Sequence, residues 1–184
     1  MATCKVTNPV QLACGDLLYP GGADGVFYVG YISELGIKLS NAQIADISSL
    51  TFMAYAGLRK FEGTKFAHNF GSEIALGAGK NISYTHRGTV KLITQSTADD
   101  VSVQQLSQST DAFIIYQNNN NQWMILGPTK GLSVAAGPLQ TTGTETGADI
   151  SDTLILEGAE KTKPLRFFSV SETATQTLLD SYVR

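Results

Sequence analysis

Hydrophobic and polar positions alternate along much of this chain with a period of two, the spacing of a pleated strand rather than the 3.6 of a helix. Leu50, Phe52, Ala54, Ala56 and Leu58 alternate with Thr51, Met53, Tyr55, Gly57 and Arg59. Phe66, His68 and Phe70 keep that period after a turn near Glu62-Gly63. Ile82, Tyr84, Val90 and Leu92 then fall on one side of a further strand, and Ser83, Thr85, Arg87, Thr89 and Lys91 on the other. The second set is polar throughout, so one face of this strand is predicted to be wet or to meet polar protein. Val26–Ile32 is apolar on both faces and rich in aromatic and β-branched residues, which predicts another strand.

Elsewhere the pattern changes. Asp99 and Asp100 precede Val101–Gln108 and place acids where a helix N-terminus favours them, with Val103 and Leu106 on one face. Ala112–Tyr116 and Gln122–Leu126 predict a hairpin closed by Asn118–Asn121, because Asn tolerates left-handed backbone angles. Gly127-Pro128 ends its second strand. Thr153–Glu157 and Leu165–Val170 predict further strands, and Ala174, Leu178 and Tyr182 a short C-terminal helix. Residues 33–48 fit either a loop or a helical turn at Leu39–Ile44. The first 25 residues, with Pro9, Pro20 and the turn-rich Pro20–Gly25, suggest an arm. Gly71–Gly79 and residues 137–151 are expected to be long connections, and a loop of the latter length is uncommon unless it binds or orders on assembly. No repeat or linker divides the chain, so residues 1–184 are expected to form one mainly β domain.

Composition adds a second constraint. Hydrophobic residues make up 42% of the 184 positions, enough for a core, while charged residues reach only 16%, against about 25% in an average domain. Gly, Ser, Thr, Asn and Gln fill the difference, giving an uncharged polar surface suited to packing against other protein. The net charge is −3 and no Lys/Arg run occurs, which argues against a grip on nucleic-acid phosphates. Cys4 and Cys14 match no zinc spacing and are expected to be free thiols in a reducing cytoplasm. Neither a secretory signal nor an apolar run of membrane-spanning length is visible, so a soluble protein without membrane partners is expected.

Motifs for chemistry fail one by one. Gly77-Ala78-Gly79-Lys80-Asn81 lacks the opening glycine of a phosphate loop, since position 74 is Ile. Asn81 also stands where Ser or Thr must hold magnesium, and a strand rather than a helix is predicted to follow. Gly131–Ala135 approximates a nucleophile elbow around Ser133 without its strand-to-helix context. His68 and His86 occupy apolar positions of predicted strands and are expected to be hydrogen-bonded, partly buried residues. Asp149, Asp152, Glu157 and Glu160 are expected to form a solvated or pore-facing acidic edge. Asn81-Ile82-Ser83 fits a glycosylation sequon, which has no meaning without secretion. Trp123 is either a core residue or an interface anchor. No enzyme activity, metal or cofactor is expected.

The order of elements, with Phe61–Gln95, Trp123–Gly127, Asp152–Leu156 and Pro164–Phe168, resembles the tail tube proteins of tailed bacteriophages. Their fold is related to the tube proteins of contractile injection systems and type VI secretion. The resemblance implies a β-barrel or sandwich flanked by a short helix, assembled into hexameric rings that stack into a hollow tube for DNA ejection. It implies a virion location after assembly in the host cytoplasm, with copies of itself and other tail or neck proteins as partners. DNA would pass through the lumen without specific binding. Ser83, Thr85, Arg87, Thr89 and Lys91 would then face the lumen or a neighbouring ring. Another virion component (neck, head-tail completion or decoration protein) and a small β-sandwich binding module are the alternative readings.

Overall fold

The computed structural model describes residues 23–37, 39, 46–62, 68–76, 82–92, 97–135, 140–141 and 151–184. Residues 1–22 of the expected 1–25 arm with Cys4 and Cys14, Phe66, the turn at Gly63 and most of Leu39–Ile44 lie outside them, as do Gly77–Asn81 and Asp149. Residues 23–25 open the first strand and are not part of an arm. Within the described residues the chain runs through β1 (Ala23–Tyr31), a 3-10 turn (Ile32–Glu34), β2 (Arg59–Glu62), β3 (Asn69–Leu76) and β4 (Ile82–Leu92). Then come α1 (Thr97–Ser107), β5 (Ala112–Asn118), β6 (Trp123–Leu126), β7 (Ser133–Val134) and β8 (Gln140–Thr141). The chain ends with β9 (Ser151–Glu160), β10 (Leu165–Arg166) and α2 (Glu172–Ser181).

Two antiparallel sheets form a sandwich. The first has the order β10-β6-β5-β1-β2 and the second β3-β4-β9-β7, with β8 also paired to β9. The mainly β expectation is met as a sandwich rather than a closed barrel, and two helices accompany it. The first sheet is apolar on both faces because it is the middle layer. Ala112, Ile114 and Tyr116 of β5 join Phe27 and Val29 of β1 in a cluster shared with Val90, Leu92, Leu154 and Leu156 of the second sheet. The intervening Phe113 and Ile115 turn the other way, into a cluster with Tyr28, Trp123, Ile125, Phe167 and Leu179 of α2. All five residues from Ala112 to Tyr116 are therefore buried. Val103 and Leu106 of α1 close the intersheet cluster, as their spacing predicts.

The local chemistry explains the turns. Asn118 Oδ1 accepts the amides of Asn120 (3.0 Å) and Gln122 (2.9 Å), and Asn121 takes a φ of 58°, so the asparagine run closes the β5–β6 hairpin. Ser171 caps α2 by accepting the Ala174 amide at 3.1 Å. The buried positions of that helix are Thr175 and Leu179, one place along from the predicted Ala174/Leu178 stripe, whose members are half-buried.

Four expectations need correction. Residues 71–76 of the expected glycine-rich connection instead belong to strand β3, held by a continuous ladder from Asn69↔Thr89 to Leu76↔Ile82. Leu50–Leu58 is not a strand: Leu50 and Leu58 are buried, while Met53–Tyr55 make an exposed turn closed by Ala56 N–H to the Met53 carbonyl (3.1 Å), with Tyr55 at φ 65°. The alternation there is real, but among the described residues no strand pairs along it; Leu58 instead exchanges backbone bonds with Tyr182 and Arg184. The predicted 165–170 strand stops at Arg166, since the following residues lead into the Ser171 cap. Finally, the 137–151 segment is not wholly loop, because Gln140 and Thr141 pair with Asp152 and Ser151.

Candidate functional site

β4 presents Ser83, Thr85, Arg87, Thr89 and Lys91 on the outer face of the second sheet, away from the intersheet core. Their neighbours alternate as the sequence predicts: His86, Gly88, Val90 and Leu92 are buried, whereas the five polar residues are half-buried or exposed. The register widens this row into a polar surface. Thr85 lies between Glu73 of β3 and Ala159 of β9, and Arg87 between Gly71 and Glu157. Thr89 lies between Asn69 and Ile155, and Lys91 stands opposite Thr153. Arg87 and Lys91 are thus set among Glu73 and Glu157, so the face has mixed charge rather than a single sign. Ser133 of β7 pairs with Glu157 at the margin of the sheet. Its hydroxyl lies 3.4 Å from the Glu157 carbonyl, not beside a base.

The other face of the β3–β4 hairpin changes character along its length. Phe70 packs on Phe27 and Tyr116 with ring centroids 5.8 and 4.5 Å apart, inside the sandwich. Beyond His86 the same face runs past its cover: Ile74, Leu76 and Ile82 are 67%, 75% and 60% exposed. Leu76 pairs with Ile82 and Ile74 with Tyr84, so the apolar side chains form one cross-strand patch. β3 also ends the strand order, leaving its outer backbone groups unmatched by any strand among the described residues. An eight-residue edge without proline, lysine or bulge is a template for another strand. Sequence reasoning missed this surface because Gly71, Ser72 and Glu73 hid the strand; the Ile74/Leu76 alternation was the available signal.

The remaining candidates are structural. Trp123 is buried with its ring 5.6 Å from Tyr28, which places it in the core and not at a surface. The acidic edge is corrected: Asp152 and Glu160 are buried, and Glu157 alone of the three described acids is on the outer face. Glu160 accepts the amides of Thr129 (2.9 Å) and Lys130 (2.8 Å) and the Thr129 hydroxyl, so it closes the turn after β6. His68 and His86 are buried, and burial pushes both imidazoles below their ordinary pKa. Among the described residues no group of three His, Cys, Asp or Glu side chains is arranged to hold a metal, and no helix is long and apolar enough to cross a membrane. No protein-family profile matches the chain, and no curated protein or solved structure matches it.

Proposed function

We propose that this protein is a structural subunit that assembles with copies of itself, and that it builds the tail tube of a bacteriophage as stacked hexameric rings. The observation that carries the reading is the β3–β4 hairpin: a strand edge unpaired among the described residues and an exposed apolar patch on one element, beside a polar face of mixed charge. An open edge is completed by a strand from another copy, and a head-to-tail contact of that kind closes into a ring when its rotation permits. Rings stacked through further contacts would enclose a lumen lined by the β4 polar face. A face without a basic cluster lets DNA slide, since phosphates are held chiefly by clustered Lys and Arg.

In this reading the partners are further copies, other tail or neck proteins and passing DNA, the location is the virion, and no catalysis or cofactor is required. Negative-stain microscopy of the purified protein across a concentration series tests it. Rings or tubes with a central hole are expected. A protein that stays monomeric at about millimolar concentration, where contacts of even about 4 kcal/mol become populated, rules the reading out. Within assembled tubes, Ser83→Lys with Thr85→Lys is expected to leave assembly intact and to slow DNA passage.

A further inference from the structure

The chain has two histidines, and each accepts a backbone amide on Nδ1, His86 from the first sheet and His68 from β4. His86 of β4 is fully buried; its Nδ1 accepts the backbone N–H of Gly127, at the end of β6 in the first sheet, at 3.0 Å. Its Nε2 lies 2.8 Å from the Thr162 carbonyl oxygen, which can only accept. The proton must therefore sit on Nε2, and Nδ1 must be bare. His68, also buried, precedes β3 and accepts the Lys91 amide on Nδ1 at 3.2 Å. Its ring meets Phe27 of β1 edge-on, with centroids 5.1 Å apart, and faces the Gly25 backbone of the same strand.

We propose that these two histidines form an acid-sensitive latch: protonation at Nδ1 sets N–H against N–H, so that His86 releases the first sheet at Gly127 and His68 releases β4 at Lys91. A protonated ring has no acceptor left, so each ring sets its own N–H against the amide it held, and the buried Gly127 amide loses the His86 nitrogen. The charged group bearing on His86 is Glu160 of β9, which favours the proton, but its carboxylate already takes three donors from the 129–130 turn. Against His68 stand the Phe27 and Phe70 rings, and the Gly25 backbone opposes desolvation without reversing it.

The sign follows from burial. Desolvation holds both folded-state pKa values below the ordinary 6.5, so the unfolded or opened chain binds the protons first. The latch is intact above that ordinary value and is lost as pH falls below it towards the depressed folded values. For a ring that stays neutral when closed, opening becomes at most about 25-fold more favourable per histidine between about pH 7 and about pH 5. Carboxylates titrate mainly below that window.

The opening is partial. His86 lies in β4 and His68 just before β3, whereas Trp123 lies in the cluster between the first sheet and α2. Amide hydrogen exchange, corrected for intrinsic rate, and Trp123 emission are measured together at pH 7, 6 and 5. The expected result is a fall in protection at Gly127 and Lys91 of up to about 25-fold for each ring engaged, with Trp123 emission unchanged. The double variant His68→Asn, His86→Asn, which offers an amide oxygen near each Nδ1 position, is expected to lose the pH dependence. Should that variant fail to fold, ring nitrogen NMR of the native chain decides, with both rings expected as the Nε2–H form at pH 6. Protection that does not change with pH, emission that shifts in step with the amides, or rings that titrate near 6.5 in an intact sandwich would each overturn the latch.

Discussion

The Tyr28 hydroxyl donates to Asp180 Oδ1 at 2.6 Å, tying the middle of the first sheet to the last turn of α2. Burial, followed by the bond to Asp180, pushes the phenol far above its ordinary pKa. The ring itself is held separately, against Trp123. Tyr28→Phe keeps that packing and removes the bond, so a loss of about 1–2 kcal/mol is expected, measured by urea denaturation. A wild-type midpoint would show that the bond contributes nothing.

Alkaline pH should unlatch the same layer. Tyr116 is pushed up to about 12 by burial, and Tyr28 is raised further in the same direction. A group whose folded pKa is raised supports the fold below its unfolded value and loses that support above it. Stability is therefore expected to fall as pH rises through about 10. Tyr116→Phe should make the fall shallower in denaturation curves taken across that range.

Glu160 offers a test of the turn after β6. Removing its carboxylate strips acceptors from two amides and a hydroxyl at once, so Glu160→Ala should cost about 3 kcal/mol or more. Glu160→Gln retains one oxygen and should cost less. Equal melting temperatures for the two variants would contradict this account.

Two glycines of the second sheet should respond oppositely to a methyl group. A Cβ on Gly158 would lie 2.2 Å from the Gly131 carbonyl oxygen, a backbone atom that cannot swing aside. Gly158→Ala should therefore destabilise by about 1–3 kcal/mol. A Cβ on Gly71 meets nothing within 4 Å. Gly71→Ala should be neutral or stabilising by about 0.5 kcal/mol, through a less flexible unfolded chain. Thermal melts of the pair read both.

The hairpin tip separates folding from association. Leu76→Glu and Ile74→Glu replace exposed side chains, so each should change stability by no more than about 0.5 kcal/mol. Both should abolish self-association in sedimentation velocity if the patch joins copies. Unaltered assembly would remove the hairpin from the interface.

Where periodicity and burial agree, the sequence announces the fold. β1 and β5 are apolar on both faces because two layers cover them, and β4 alternates because one layer does. The helix that carries Asp99-Asp100 in its first turn and the asparagine hairpin follow from residue chemistry alone. β3 was hidden because Gly71, Ser72 and Glu73 have little strand preference; its ladder with β4 supplies what local propensity lacks. Leu50–Leu58 shows the converse, alternation without a strand to pair with. The polar row of β4 was legible as a face, but its neighbours Glu73 and Glu157 depend on register, which one sequence does not display. Glu160 was misread for a similar reason: its donors lie thirty positions away on another loop.

The two central strands of the middle sheet, β1 and β5, meet only when Tyr28 reaches Ile115, far along the chain. During synthesis β1 therefore emerges long before its main partner exists, with greasy residues on both sides and no layer to cover either. Such long-range pairing slows folding and leaves the nascent chain prone to mispairing. Production of this protein should depend on chaperones or slow translation through the first hundred residues, and shortening that wait, by placing β5 ahead of β1 in a permuted chain, should raise the soluble yield.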